Sequence, residues 1–364
     1  MTTTIETAVG PRAIINGKQV DYFGGTSYYS LHADSRLIEA ARDAISRYGT
    51  GPGNTYDTPP MQRLRGEITR FFGTQDAHVV ASGYLSDMML AHTLAPRFDV
   101  AFVDQKAHYS VYDGLRVTGK PIVSFSHRDP EDLEARLRES LPPRRVPLVM
   151  SDGVFPVTGA IAPVKSYADV LEGYPGGILC IDDSHGVGVL GEQGRGTYEH
   201  GGVSGTNHYF GATLSKAFGA LGGFVTGTHE FIEDVLRSDR IPEGASPLST
   251  GAVAAAAEGL RILTDHPELR AQLRANVSHL RAGLSKLGID TPDTPVPILC
   301  IVGRDGMDLK TASKRLRDRG IVVSHIGPSG YSDSPSVEVL RIAVFSGHTV
   351  EQLDRLLGSL SKVL

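Results

Sequence analysis

The sequence is poor in the residues that mark secreted and membrane proteins. It contains no tryptophan and only two cysteines, Cys180 and Cys300, each within an apolar stretch. Two isolated thiols cannot form the disulfide framework of a small secreted protein, so we expect them to be reduced and buried. The N-terminus lacks the basic and apolar regions of a secretory signal, and no apolar run reaches about 18 residues. These features indicate a cytoplasmic protein without a membrane span.

The sequence also lacks a strong excess of either positive or negative charge. The 364 residues carry 36 basic and 41 acidic side chains, for a net charge of −5. No basic cluster stands out, so the sequence argues against nucleic-acid binding, which needs a basic surface. The apolar fraction of 40% and the charged fraction of 21% are typical of globular proteins. At about 150 residues per domain, the length favours two domains.

The first 45 residues are predicted to form an arm and a helix. Asn16-Gly17 is a hairpin turn signal, and Ser35 is placed to cap a helix. The predicted apolar face of this helix carries Leu37, Ile38, Ala41 and Ile45. Residues 46–250 then alternate short apolar runs with helical or loop segments, which predicts an α/β domain with a mostly parallel seven-stranded sheet. Residues 251–364 are predicted to form a smaller α/β domain.

The segment ILCIDDSHGVGVLGEQGRG, residues 178–196, contains the first candidate site. An apolar strand ends at Asp182, and His185 follows three residues later. Ligands of open α/β sheets bind beyond the carboxyl ends of the strands, where a carboxylate can hold a heterocyclic nitrogen protonated. The same residues also fit a loop-capping aspartate beside a structural histidine.

The segment HYFGATLSKAFGALGGFVTG, residues 208–227, contains the second candidate site. A strand leads to Thr213, Ser215 and Lys216, and glycines follow. A lysine suits Schiff-base chemistry because its pKa falls readily on desolvation, and the hydroxyl groups suit a nearby phosphate. Taken alone, Lys216 also fits an ordinary surface residue of a Gly-rich turn.

Two further segments have the same strand-to-helix form. ASGYLSD, residues 81–87, predicts a helix N-terminus suited to a phosphate, or a plain helix cap. In KAHYSVYDG, residues 106–114, His108 follows a strand and is placed to stack on a flat cofactor. A single histidine at such a position also fits a structural role.

Together, SGYLSD, AHYS, SDGVFPVTGAIAP, IDDSHGVGVLGEQGRGT and TLSKAFGALGG occur in an order that resembles the α-oxoamine synthases, which are fold-type I enzymes dependent on pyridoxal 5'-phosphate (PLP). The resemblance runs from about residue 20 to the C-terminus. It implies a Schiff base with Lys216, an Asp182 contact to the pyridine nitrogen, a His185 bond to the ring hydroxyl and His108 stacked on the ring. PLP is the one cofactor implied, and no metal is predicted.

The resemblance also implies phosphate and substrate contacts. Phosphate contacts are implied for Gly83, Tyr84, Thr213 and Ser215, and for Ser246 or Ser249 from the partner subunit of a homodimer. Arg341 matches the arginine that holds the amino-acid carboxylate, whereas a strand position taken alone would place it in solvent. Ser27 and Tyr28 are assigned to the substrate site. The substrates implied are an amino acid and an acyl thioester, carried by coenzyme A or by an acyl carrier protein.

The segments assigned to the thioester depart from the family. Residues 49–67 read GTGPGNTYDTPPMQRLRGE, shorter than expected, with Met61 where the family has a histidine. Residues 24–31, GGTSYYSL, are also altered, and Pro156 and Thr158 replace a serine and an aspartate. The cofactor residues therefore match the family while the thioester residues do not.

Three functions remain open at this stage. The first is an acyltransferase that condenses an amino acid with a thioester, with loss of CO2, to give an α-amino ketone. The second is another PLP reaction on the same scaffold, namely transamination, decarboxylation or aldol-type cleavage. The third is a non-catalytic subunit of a heterodimer, against which Lys216, Asp182 and His185 argue together.

Overall fold

The computed structural model describes residues 4–51, 57–238, 244–304, 306–328 and 331–364. The chain divides into two compact units. Unit 1 comprises Met1–Ser35, Pro156–Ala160 and Asp265–Leu364, and unit 2 comprises Arg36–Phe155 and Ile161–Thr264. The domain boundaries after residues 45 and 250 stay a prediction.

The strands are short, and many of them are fully buried. They are β1 (Arg12–Ile15), β2 (Lys18–Phe23), β3 (Asp76–Val80), β4 (Val100–Asp104), β5 (Ile122–Phe125), β6 (Pro147–Asp152), β7 (Ile178–Asp182), β8 (His208–Thr213), β9 (Gly223–Gly227), β10 (Ile298–Val302), β11 (Ile321–Ile326) and β12 (Val339–Ala343).

The helices alternate with these strands along most of the chain. They are α1 (Ser35–Tyr48), α2 (Pro59–Phe72), α3 (Gly83–Leu94), α4 (Tyr109–Arg116), α5 (Pro130–Ser140), α6 (Val164–Leu171), α7 (Thr197–Gly201), α8 (His229–Ser238), α9 (Thr250–Asp265), α10 (Glu268–Lys286), α11 (Leu309–Asp318) and α12 (Val350–Leu360).

Unit 2 contains the seven-stranded sheet, in the order β3-β9-β8-β7-β6-β4-β5. The pairs among β8, β7, β6, β4 and β5 are parallel, and β9 is antiparallel to both of its neighbours. β4, β6 and β7 are buried along their whole lengths. Such apolar strands need helices on both faces of the sheet. The predicted α/β fold with a mostly parallel sheet is confirmed.

Helix packing in unit 2 follows the predicted apolar faces in α5 but not in α1. Leu133 and Leu137 of α5 are fully buried, and Asp129 caps that helix through the N–H groups of residues 131 and 132. In α1, Leu37 is buried, but Ile38 and Ile45 are 55% and 42% exposed. The predicted face of α1 is wrong at these two isoleucines because the helix buries the narrower stripe that contains Leu37.

Unit 1 contains a five-stranded sheet in the order β1-β2-β11-β12-β10. The predicted hairpin is present, with Asn16 and Gly17 at positive φ in its turn. Its second strand, β2, pairs in parallel with β11, so the N-terminal arm is part of the sheet formed by the C-terminal strands. Both cysteines are buried and unpaired, Cys180 in β7 and Cys300 in β10. Across the described ranges, the helices are too short or too polar to traverse a lipid bilayer.

Candidate active site

Three parallel strands of unit 2 end in aspartates at one edge of the sheet. Asp104, Asp152 and Asp182 are the last residues of β4, β6 and β7. Asp152 is the register partner of Asp182. Because the carboxyl ends of parallel strands border the ligand crevice of an α/β sheet, this edge carries the candidate active site.

Two of these aspartates organise neighbouring loops. Asp104 accepts the backbone N–H groups of Lys106 and Arg128, at 2.8 Å each. Asp152 Oδ1 accepts the backbone N–H of His108 at 2.9 Å. Asp152 therefore fixes the predicted stacking histidine relative to the strand that neighbours Asp182.

The His108 side chain is held as firmly as its backbone. His108 precedes α4, and its Nδ1 lies 2.7 Å from Oγ of Ser110. The ring of Tyr84 meets the His108 ring edge-on, with 5.9 Å between centroids. A half-buried imidazole fixed in this way is suited to stacking on a flat heterocycle, and that role stays a prediction.

Asp182 and His185 occupy the turn that follows β7. Each is 8% exposed, and Asp182 Oδ1 accepts the backbone N–H of Ser184 at 3.0 Å. A carboxylate with most of its surface removed from water interacts strongly with a nearby positive charge. This position agrees with the predicted role of Asp182 beside a protonated ring nitrogen.

A second buried carboxyl group, Asp87, lies beside Asp182 and did not emerge from the sequence. Asp87 is in α3 and is fully buried, and Oγ of Ser110 donates to its Oδ2 at 2.6 Å. Burial raises the pKa of Asp87 well above its ordinary value, the Asp182 charge raises it further, and the Lys216 charge lowers it. The one available signal was a single carboxylate in a largely buried helix, GYLSDMMLAHTL.

The second aspartate of the DDSHG motif has a structural role. Asp183 accepts both the backbone N–H and the hydroxyl of Thr197, at 2.7 and 2.5 Å. A Cβ at Gly153, Gly186 or Gly196 would lie 2.5 Å or less from an Asp183 oxygen. Burial raises the pKa of Asp183 to about 7. The glycines of the motif therefore make room for this buried carboxyl group.

Lys216 lies in the turn between β8 and β9 and is half-buried. The turn is closed by backbone hydrogen bonds from Leu214 to Gly222 and from Ala220 to Leu214, at 2.8 and 3.0 Å. Lys216 is close enough to Asp87 for its positive charge to act on that carboxyl group. The structure thus places Lys216 and Asp182, two residues predicted from separate motifs, after neighbouring parallel strands at one edge of the sheet.

The predicted phosphate residues lie at the N-terminus of α3 and the end of β8. Thr213 Oγ1 lies 2.8 Å from Oγ of Ser215. A Cβ on Gly83 would lie 2.6 Å from Cβ of Thr213, so only glycine permits this approach. Ser82 caps α3 by accepting the backbone N–H of Tyr84. A helix N-terminus beside two hydroxyl groups is a favourable site for a phosphate.

These residues fit PLP. The set supplies a primary amine in Lys216, a carboxylate in Asp182 for the ring nitrogen and the N-terminus of α3 for a phosphate. The absence of a side chain at Gly83 lets the N-terminus of α3 lie directly against Thr213. The donor set therefore matches an aldehyde, a heterocyclic nitrogen and a phosphate on one cofactor, and the individual roles remain predictions.

Arg341 lies in β12 of unit 1 and is buried, so the solvent-facing alternative is wrong. Its Nε donates to the carbonyl oxygen of Pro156 at 2.6 Å, and its Nη1 donates to that of Gly25 at 3.0 Å. It also hydrogen-bonds the buried Tyr28, whose pKa rises to about 12, chiefly because of burial. Ser27 is buried, with its Oγ 2.6 Å from Nδ1 of His32.

The replacements at 156 and 158 have their own anchor in unit 1. Asp333 is buried and accepts the backbone N–H groups of Val157 and Thr158, each at 2.9 Å, together with the Thr158 hydroxyl. The loop that differs from the family is therefore held by a carboxylate, and its Pro156 carbonyl faces Arg341.

The remaining predicted residues are less defined. Ser246 and Ser249 are exposed, and Ser249 Oγ accepts the backbone N–H of Ala252 at the start of α9. Their predicted contact with the phosphate of a partner subunit stays a prediction. Of the altered segment 49–61, residues 52–56 lie outside the described residues, and Met61 is half-buried in α2.

Comparison with known proteins gives a family match and close relatives. Residues 25–360 match the family aminotransferase class I and II. The 8-amino-7-oxononanoate synthase of Lysinibacillus sphaericus is 34% identical, over 96% of this chain and 90% of its own length. The serine palmitoyltransferase of Sphingobacterium spiritivorum is 29% identical, over 99% of this chain and 90% of its own length.

Solved structures show the same fold. The Sphingomonas wittichii serine palmitoyltransferase has a TM-score of 0.91 at 28% identity, covering 99% of this chain and 91% of its own. A lysine-to-alanine variant of the S. paucimobilis enzyme, with a bound PLP–myriocin aldimine, has a TM-score of 0.92 at 28% identity, covering 100% of this chain and 92% of its own.

Proposed function

This chain belongs to the aminotransferase class I and II family and, within it, to the α-oxoamine synthases, and from that premise we propose that it condenses an amino acid with an acyl thioester, releasing CO2 and forming an α-amino ketone. It is a PLP-dependent acyltransferase with the fold of the fold-type I enzymes. The relatives carry the names of two such condensing enzymes, 8-amino-7-oxononanoate synthase and serine palmitoyltransferase.

One observation carries the proposal, namely that Asp182 ends β7 and Lys216 follows β8, two neighbouring parallel strands, at the carboxyl edge of one sheet. PLP, when bound, supplies an electron sink for a carbanion at the amino-acid α-carbon. Lys216 then carries the α-proton on Nζ, and Asp182 keeps the ring nitrogen protonated. His185 positions the ring hydroxyl, and His108 covers the ring face.

We assign the amino-acid carboxylate to Arg341, with Tyr28 and Ser27 as its neighbours in the sequence-predicted substrate set. An arginine suits this task because its planar guanidinium can bind a carboxylate through two parallel hydrogen bonds. The buried surroundings of Arg341 and its hydrogen bond with Tyr28 support the assignment. The acyl donor, bound to coenzyme A or to an acyl carrier protein, is left open by the altered segments 24–31 and 49–61.

The proposal is tested with a panel of amino acids incubated with and without acyl thioesters. We expect CO2 release only when an amino acid and a thioester are both present, with one α-amino ketone formed per CO2. Keto-acid formation without thioester would instead identify an aminotransferase. CO2 release without thioester would identify a decarboxylase, and aldehyde release from a hydroxy amino acid an aldolase-type lyase.

Lys216→Ala tests the cofactor assignment. We expect the variant to lose the visible absorbance of the Schiff base and all turnover, because no other amine replaces Nζ. Lys310→Ala, on the exposed side of α11, is the matched control and should retain both. Full activity of Lys216→Ala would refute the assignment. Wild-type protein that never acquires the absorbance would support a non-catalytic subunit.

A cytoplasmic location and a homodimer complete the proposal. The two buried, unpaired thiols support a reducing compartment. The homodimer is supported by the family resemblance, which assigns Ser246 or Ser249 to the phosphate site of the neighbouring subunit.

A further inference from the structure

We propose that Asp87 is a protonated positioning residue that connects Asp182 to His108. Its carboxyl O–H donates to Asp182, and its other oxygen accepts from Ser110, which contacts His108. The proposal rests on the proposed function, since it deepens the roles of Asp182 and His108. Asp87 interacts with Asp182 directly and with His108 through Ser110, not with the reacting atoms.

The contacts of Asp87 leave one oxygen for a proton. Oδ2 accepts from Oγ of Ser110 at 2.6 Å, and Ser110 Oγ in turn lies 2.7 Å from Nδ1 of His108. Oδ1 is buried and receives no N–H or O–H from any residue in the part of the chain that the structure describes. A buried carboxylate oxygen without a donor is costly, whereas a carboxyl O–H at that atom can donate to a neighbouring carboxylate.

The groups packed around Asp87 favour a single shared proton. Asp182 approaches from the end of β7 and Ser110 from α4, with His108 just before that helix. The charges of Lys216, in the turn after β8, and of Asp87 act on each other, and Cys180 of β7 is also within range of the Asp87 charge. Two adjacent carboxyl groups removed from water do not both ionise, so one takes a proton. Asp182 Oδ1 accepts the backbone N–H of Ser184, whereas Asp87 Oδ1 is buried and has no donor among the described residues, which assigns the proton to Asp87. Burial, which raises the pKa of Asp87, acts in the same direction.

A neutral Asp87 has a consequence for the ring nitrogen. The hydrogen bond that it donates stabilises the ionised form of Asp182 and lowers its tendency to take the proton from the ring. The link through Ser110 to His108 fixes the stacking ring with respect to the same carboxylate. Asp87 would thus set both the charge and the orientation of the groups that border the cofactor.

The first experiment compares Asp87→Asn with Asp87→Leu in the holoenzyme. Asparagine is neutral and keeps an N–H donor for Asp182, so kcat should stay within about threefold of wild type, whereas leucine should lower kcat about 10- to 100-fold, the range for a hydrogen bond to a charged group. The nitrogen NMR shift of isotope-labelled PLP should report a protonated ring in wild type and Asp87→Asn, and loss of ring protonation at a lower pH in Asp87→Leu. Equal shifts in all three proteins would overturn the proposal.

The second experiment detects the proton directly and needs no cofactor chemistry. Infrared spectra near neutral pH should show the carbonyl band of protonated carboxyl groups in wild type and in Ser110→Ala, with a contribution from Asp183, whose pKa burial raises to about 7. The band should be weaker in Asp87→Asn by the contribution of one carboxyl group and unchanged in Asp43→Asn, a control with an exposed carboxylate on α1. Absence of the band in wild type would refute a protonated Asp87. An equal band in wild type and Asp87→Asn would also overturn the proposal. Because this readout works without turnover, it also separates failure of this proposal from failure of the proposed function.

Discussion

Arg341 is a buried arginine in a β-strand, where a solvent-facing side chain was the simple alternative. It donates to two backbone carbonyl groups and hydrogen-bonds Tyr28, and all three partners lie in unit 1. Lysine cannot reproduce this fork of donors. We expect Arg341→Lys to raise KM for the amino acid about tenfold or more while the PLP absorbance is unchanged. Arg315→Lys, on the exposed side of α11, is the control, and an unchanged KM in Arg341→Lys would remove the residue from the substrate site.

His348 gives unit 1 a pH-dependent stability. Its ring is stacked between Phe23 and Phe345, accepts the backbone N–H of Phe345 and lies 3.1 Å from the carbonyl oxygen of Tyr22. Burial lowers the pKa of His348 to about 4, below the value near 6.5 of an unfolded histidine. The unfolded chain therefore binds the extra proton between these values, and the native state loses stability as the pH falls through this window.

We expect the titration of His348 to lower the free energy of unfolding by about 3 kcal/mol between pH 6.5 and 4. Urea denaturation at a series of pH values measures it as the difference between wild type and His348→Gln, which lacks the titrating ring. The free energy of unfolding of the variant should change less steeply across this range. Parallel pH profiles would show that His348 does not titrate as its burial requires.

Residues with a chemical signature were predictable, and residues defined by their neighbours were not. Lys216, Asp182 and His185 stood at strand ends in motifs that the family resemblance made specific. Asp87 lies inside a helix, and its partners, Ser110 and Asp182, come from other elements. Its role depends on contacts that no local pattern contains.

At the scale of elements, buried strands were the most predictable feature. All seven apolar runs between residues 76 and 227 are strands, because the sheet is covered on both faces. Within the predicted C-terminal α/β domain, the sequence did not indicate a separate strand at β10 or a helix at α11. β10 is a five-residue apolar run that also fits a buried helix segment, and α11, LKTASKRLRD, shows only a sparse apolar stripe. For both segments, packing against neighbouring elements determines which secondary structure forms.

The N-terminus of α3 offers a test of the phosphate site. A Cβ at Gly83 would meet Thr213 at 2.6 Å, so Gly83→Ala must displace the helix from the end of β8. We expect a PLP dissociation constant at least about tenfold higher, because the N–H groups that would face the phosphate move with the helix. Equilibrium dialysis with PLP measures the effect.

Gly66→Ala is the matched control for that change. Gly66 is an exposed helical glycine of α2, and a Cβ there would meet no other atom within 4 Å. The substitution should leave PLP affinity unchanged and stabilise the protein by about 0.5–1 kcal/mol. Equal effects of the two substitutions on PLP affinity would argue against a phosphate site at Gly83.

For the whole molecule, the fold constrains the cofactor more than the substrate. The relatives that share this architecture carry the names of enzymes with different acyl products, and one scaffold hosts several reactions. The loop with Pro156 and Thr158, which differs from the family, is held by hydrogen bonds to Asp333 within unit 1. Substrate choice therefore has to be measured with the thioester panel.

The proposed homodimer predicts the molecular mass of the protein in solution. We expect sedimentation equilibrium of the holoenzyme to give a mass of twice the 38.9 kDa of one chain at micromolar concentration. The physical reason is that the family resemblance assigns Ser246 or Ser249 to the phosphate of the cofactor in the neighbouring subunit. A single chain cannot make this contact. A mass of one chain with full activity would contradict both the dimer and the shared site.

The pairing of β2 with β11 has a consequence for biosynthesis. Tyr22 is the register partner of Val322, which leaves the ribosome 300 residues later. At roughly 5–20 residues per second, the hairpin waits on the order of 15–60 s for its neighbouring strand. All of unit 2 is translated during that interval and can collapse first. The nascent hairpin exposes an unpaired strand edge throughout, which makes it the segment where chaperone binding to the growing chain is most expected.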